Sequence, residues 1–233
     1  MPQFDIIINP RTDVTDRVRE VISDFDIDMQ HTGEHFKGNI DIEGVTWNVG
    51  LIVGGSGTGK STIARHVFGD HYISGYEYTH GTILDDMPRD KTVQEIELAF
   101  TRVGFASPPS WLRPYNVLSN GEKMRVDLAR ALLEDRDIIC FDEFTSVVNR
   151  EVAKTAAYAI SKSIKAEGRK FVAVSCHKDI IEWLEPDWIY DTDEQRFFTH
   201  GGKSVAPESD LTYIGLVHRI RNEYGKYLGS III

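Results

Sequence analysis

The sequence predicts an α/β fold built on a mainly parallel sheet, and three stretches carry that prediction. Residues 47–53, WNVGLIV, form an apolar run that leads into a glycine-rich turn. Residues 137–143, DIICFDE, and 170–175, KFVAVS, are two further apolar runs, separated by a segment with helical character. Buried strands that alternate with helices are the mark of a parallel sheet covered on both faces.

Taken in order, the first fifty residues read as β-rich: Phe4 to Ile8, Val18 to Met29 and Ile40 to Val45 each alternate apolar and polar positions. Trp47 to Val53 is a buried strand, and a helix follows the glycine turn from Lys60 to about Phe68. Gly81 to Leu84 reads as a short strand, and DDMPRDKT after it as a loop, by its proline and charges. Thr92 to Val103 has helical spacing at Val93, Ile96 and Phe100, and SPPSWLRP (107–114) is a rigid connector. A helix then runs to about Glu134 with Met124, Leu128 and Leu132 on one stripe. The strand DIICFDE, a helix over about Glu151 to Ala166 and the strand KFVAVS complete the core. Leu211 to Tyr227 reads as an amphipathic tail helix.

With 233 residues and 26.4 kDa the chain suits one domain spanning 1–233. Within it a β-rich part covers about 1–50, a reduced helical part about 86–134 and a tail about 203–233. No stretch approaches the ~20 apolar residues of a membrane helix, and MPQFDIIINPRTD lacks the pattern of a secretory signal. A cytoplasmic protein without a transmembrane segment of its own is therefore expected. The formal charge of −10 disfavours nonspecific attraction to nucleic acid or an anionic membrane; His200–Lys203 and His218–Arg221 are the candidate basic patches. Cys140 and Cys176 lie in apolar runs without a second cysteine at ligand spacing, which points to reduced core residues.

Residues 54–62, GGSGTGKST, have two glycines four residues apart before Lys-Ser, between a strand and a helix. That is the phosphate-binding loop pattern. Glycines let consecutive amides turn toward a phosphate, and the helix presents its positive end to the anion. Lys60 can reach β- and γ-phosphates, and the Ser61 hydroxyl can bind Mg²⁺. Such a loop needs an acid at the end of a neighbouring buried strand. Asp142 takes that role, and Glu143 beside it can orient or deprotonate an attacking water.

The order of the phosphate loop, then LSNGE (118–122), then IICFDE (138–143), then SCH (175–177) resembles the ATP-binding cassette (ABC) ATPase family. LSNGEKMRVDLARALL follows the frame of that family's LSGGQ signature, and the resemblance runs from the first strands to about Trp188. It implies a P-loop NTPase core with a mainly parallel sheet, an N-terminal antiparallel β subdomain and a short helical subdomain. Gly54, Gly55, Ser56, Gly57, Thr58, Gly59, Lys60, Ser61 and Thr62 would form the Walker A loop around ATP, and Asp142 the Walker B metal ligand. Glu143 would be the catalytic carboxylate and His177 the switch histidine at the γ-phosphate. Ser119 and Gly121 would bind the γ-phosphate of ATP held by a second copy, giving a homodimer closed through residues 118–122.

The departures from the family pattern are specific. Asn120 stands at the first signature glycine, Glu122 at the glutamine and Asn149 at an aspartate of the following loop. Asp85, with Asp86 next, falls at the position of the family's glutamine, where it is either a further Mg²⁺ ligand or a solvated acid. For the aromatic that stacks on adenine, His31 aligns best, with Phe25 and Phe36 as rivals. The resemblance implies an ATPase, ATP and Mg²⁺ as ligands, and closure coupled to an unidentified protein or nucleic-acid partner. The alternatives are a nucleotide-binding subunit of a membrane transporter and an ATP-gated switch with little turnover. The span from Lys60 to Ser119 is shorter than in typical transporter cassettes and leaves no room for a long coiled coil.

Overall fold

A computed structural model describes residues 3–9, 14–27 and 33–199. In chain order the elements are β1 (Gln3–Ile8), α1 (Asp16–Phe25), β2 (Glu34–Asn39), β3 (Val49–Val53), α2 (Lys60–Phe68), β4 (Tyr72–Ile73), α3 (Val93–Arg102) and α4 (Pro108–Trp111). They continue with α5 (Asn120–Leu133), β5 (Ile138–Phe141), α6 (Arg150–Glu167), β6 (Lys170–Ser175), α7 (Ile181–Leu184), β7 (Trp188–Asp191) and β8 (Arg196–Thr199). The candidate tail helix, both candidate basic patches and His31 lie wholly or largely outside the described residues.

The expected α/β core is present. Six strands run in the order β4-β5-β6-β3-β7-β8, parallel except for the β7–β8 pair. A separate antiparallel pair, β1–β2, matches Gln3 with Asn39 through Ile8 with Glu34. Alternation along the strands divides the core in two. Leu51, Ile139, Phe141, Phe171 and Ala173 face a cluster supplied by α3, α5 and α6. Ile52, Cys140, Val172, Val174 and Trp188 face a second one, with Ile63, Ala64 and Phe68 from α2 and Phe4 from β1. The stripe Met124, Leu128 and Leu132 on α5 is buried as its spacing requires. Both cysteines are free, Cys140 buried and Cys176 half-buried.

Three local expectations are corrected. The segment from Val18, described as far as Ile27, holds no strand there: α1 covers Asp16–Phe25, capped by Thr15, whose hydroxyl accepts from the Val18 amide at 3.4 Å. Val18, Val21, Ile22 and Phe25 also fit a helical stripe, and the cap decides between the two periods. The second strand of the small sheet is Glu34–Asn39 rather than Ile40 to Val45; the latter segment turns at Gly44 (φ 77°). Gly81 to Leu84 is also not a strand. The strand between α2 and α3 is the two-residue β4, and Leu84–Asp86 is a 3₁₀ turn.

Candidate functional site

The loop from Gly54 to Gly59 joins β3 to α2 under tight constraint. Gly59 has φ 83°, and a Cβ there would sit 2.4 Å from the Phe36 ring of β2. Only glycine satisfies both the backbone angle and that close approach. The Gly55 carbonyl is a hub inside the loop. Lys60 Nζ donates to it at 2.5 Å and Thr58 Oγ1 at 2.9 Å. From outside, the Gly55 N–H donates to Asp193 Oδ1 at 2.8 Å, and Thr58 Oγ1 pairs with Thr192 Oγ1 at 2.6 Å.

β5 delivers its acid next to this loop. Ser61 Oγ donates to Asp142 Oδ1 at 3.1 Å, and the Glu143 amide donates to the same oxygen at 2.9 Å. The Tyr72 hydroxyl, from β4, donates to Asp142 Oδ2. Burial, and then the Asp142 carboxylate, push the Tyr72 phenol up to about 12, so it remains a proton donor at neutral pH. Glu143 is exposed and takes the left-handed conformation (φ 51°), a strained backbone for a non-glycine residue. The donor set suits Mg²⁺: a hard hydroxyl and one carboxylate leave coordination places for phosphate oxygens and water. Among the described residues there is no larger cluster of His, Cys, Asp and Glu of metal-binding kind.

Ser119 caps α5 in a reciprocal box. Its amide and hydroxyl donate to Glu122 Oε2 at 2.9 and 2.7 Å, and the Glu122 amide returns to Ser119 Oγ at 3.4 Å. Those bonds, first of all from the Ser119 hydroxyl, hold the Glu122 carboxyl below the ordinary glutamate range. Gly121 packs beside Val148 and Arg125. Asn120 and Lys123 reach a cavity of about 250 Å³ shared with Ser74, Asp142, Glu143 and Val147. Asn149 caps α6, accepting from the Val152 amide at 3.0 Å, a task that an aspartate performs equally well.

His177 directly follows β6, half-buried, its amide donating to Ser175 Oγ at 3.2 Å. The residues after it are anchored on two sides. Lys178 Nζ donates to Asp191 Oδ2 at 2.8 Å and lies 3.0 Å from Asp193 Oδ2. Asp179 takes a two-point ion pair from Arg150 at the start of α6.

The structure thus brings Lys60, Ser61, Asp142 and the Gly54–Thr62 loop together. It places Asp85 elsewhere: exposed on the 3₁₀ turn, its carboxylate accepts from Thr82 Oγ1 at 2.5 Å and does not line the cavity beside Glu143. The expected strand Gly81 to Leu84, which would have placed Asp85 at its end, does not form. Ser74, just after β4, lines that cavity instead. Of the adenine candidates, Phe36 lies on the phosphate loop, whereas Phe25 is exposed on α1. Sequence reasoning also missed Tyr72, Lys178 and Asp193, none of which carries a motif.

The fold is that of solved ATP-binding cassettes, and the motifs resemble those of the ABC ATPase family. A family model described as ABC transporter matches residues 79–146, which include the signature and Asp142. The chain is 32% identical over 103 residues to the ABC multidrug transporter MDR2 of Trichophyton interdigitale, covering 44% of this chain and 7% of that protein. It is also 32% identical over 136 residues to the mRNA export factor elf1 of Schizosaccharomyces pombe, covering 48% of this chain and 13% of that one. The chain therefore spans roughly a tenth of the length of these relatives. Among solved structures, a dimeric ATP-binding cassette in a post-hydrolysis state bound to ADP and Pi superposes with TM-score 0.55 at 15% identity, over 71% of this chain and 89% of that one. The cbiO1 subunit of an ABC transporter complex of Clostridium perfringens superposes with TM-score 0.54 at 16% identity, over 86% and 92% of the two chains. No helix among the described residues is long and apolar enough to cross a membrane.

Proposed function

We propose that the chain binds Mg-ATP on the Gly54–Thr62 loop and hydrolyses it at sites completed by a second copy. The observation that carries this reading is the Ser61–Asp142 contact of 3.1 Å, which joins the loop to the acid of β5 across 81 positions. Lys60 exchanges the Gly55 carbonyl for the β- and γ-phosphates. Ser61 and Asp142 would hold Mg²⁺, which supplies charge neutralisation between those phosphates. Glu143, exposed at the end of β5, orients the attacking water and takes its proton. His177, after the neighbouring β6, contacts the γ-phosphate. Phe36, whose ring lies against Gly59 on the flank of the loop, is the aromatic assigned here to adenine.

The exposed Ser119 and the amides of Asn120 and Gly121 at the start of α5 form the half-site offered to the partner's γ-phosphate. Val117 and Val147, 51% and 55% exposed, supply apolar surface near it for the partner copy. Closure would act on a further macromolecule, for which a transporter subunit and a protein or nucleic-acid complex are the two candidates. A switch with slow turnover is favoured by one observation, the Glu122 carboxylate that engages the Ser119 donors.

Two variants test the shared site. Glu143→Gln should accumulate an ATP-bound dimer seen by light scattering. Ser119→Arg should abolish turnover and dimer formation while ATP affinity of the monomer stays within about twofold, because only the partner's nucleotide is read by Ser119. Loss of monomer binding in the arginine variant would exclude the shared-site arrangement.

A further inference from the structure

The chain from the phosphate loop to the switch histidine is continuous in space. Asp193, on the turn between β7 and β8, uses one carboxylate oxygen for the Gly55 N–H at 2.8 Å and the other for Lys178 Nζ at 3.0 Å. Lys178 is bonded covalently to His177. Asp191, fully buried, holds the same ammonium at 2.8 Å and also accepts from the Asp193 amide at 2.9 Å, so the turn keeps a fixed shape. Burial pulls the Lys178 ammonium down, but the two carboxylates outweigh it and raise it above its ordinary value.

We propose that Asp193 and Lys178 are positioning residues that report the state of the phosphate loop to His177. The proposal rests on the ATP-binding reading above and adds the route by which binding reaches the switch. Gly55 is gripped from both sides, by Lys60 and Thr58 at its carbonyl oxygen and by Asp193 at its amide. When Lys60 leaves for a phosphate, the Gly55 carbonyl loses its cationic partner and Asp193, at the Gly55 amide, becomes the main charged contact of that residue. A shift of Gly55 then moves Asp193, and Asp193 moves Lys178 and with it the backbone of His177. The bidentate Arg150–Asp179 pair pins the other end of the same short segment to α6, so the displacement is taken up at residues 177–178.

Asp193→Asn separates this role from simple support of the loop. The amide oxygen can still accept from Gly55, while the ion pair with Lys178 is lost. The measurement is hydrogen exchange of residues 176–181 with and without Mg-ATP, together with ATP affinity. In the wild-type protein nucleotide should slow exchange in that segment. In Asp193→Asn affinity should stay within about twofold, the protection should vanish, and kcat should fall about tenfold with KM little changed. Asp193→Glu, which restores the charge, should recover part of both. Full protection in Asp193→Asn, or a nucleotide-bound wild type without protection, would overturn the coupling. A wild type that binds nucleotide with protection but never hydrolyses it would instead refute the ATPase reading and leave the coupling standing. A wild type that binds no ATP would end both.

Discussion

Glu122 places a carboxylate where the family resemblance leads one to expect an amide, and its two hydrogen bonds from Ser119 keep it ionised at neutral pH. A γ-phosphate approaching Ser119 would meet both occupied donors and a negative charge. Glutamine accepts the same capping bonds without the charge. Glu122→Gln should therefore lower the ATP concentration that drives dimerisation by about tenfold, as expected for removing one nearby like charge in a partly screened site. Sedimentation velocity across an ATP titration reads this directly; an unchanged midpoint would mean that the capping charge does not reach the nucleotide. Asn120 and Asn149 are milder departures, the first at a helix start that does not require a left-handed residue, the second an equivalent cap.

At the scale of elements, α5 is tied to the loop after β4 by a small polar core. Tyr78 and Tyr115 stack with ring centroids 3.9 Å apart, and both hydroxyls donate to Asp127, at 2.7 and 2.8 Å. Burial raises the Asp127 carboxyl despite these bonds, so each phenol is compensating a desolvated acid. Tyr78→Phe and Tyr115→Phe should each cost about 1–2 kcal/mol in urea unfolding, and the double variant should differ from their sum. A neutral result for both would place the stabilisation in the ring stack alone. Little of this was legible in the sequence. The strands around Leu51, Ile139 and Val172 were, because burial on both faces writes an uninterrupted apolar run. β4 was not, since two residues give no period. The phosphate loop and Asp142 announced themselves by motif, whereas Tyr72, Lys178 and Asp193 act on residues 70, 13 and 138 positions away and look like any surface polar residue until the sheet brings them together.

For the whole molecule, the polar contacts set a direction for acid sensitivity. Burial pushes the Asp193 carboxyl up, but the Gly55 amide and Lys178 outweigh it and hold it below its ordinary value. A depressed folded value means that the stabilisation is complete above the unfolded aspartate pKa of about 3.9 and disappears as pH falls through the folded value. Thermal melting of wild type and Asp193→Asn should accordingly differ at pH 6 and converge as the pH falls below the ordinary aspartate range; a constant gap would assign the difference to packing rather than charge.

The two-residue length of β4 has a consequence for assembly. Among the described residues β4 forms one border of the six-stranded sheet. A strand so short offers an incoming chain only one or two main-chain hydrogen bonds, so copies cannot stack along that side into a growing ribbon. The proposed dimer would instead use the loop face, where two identical surfaces meeting around a twofold axis would satisfy each other and leave no sticky end.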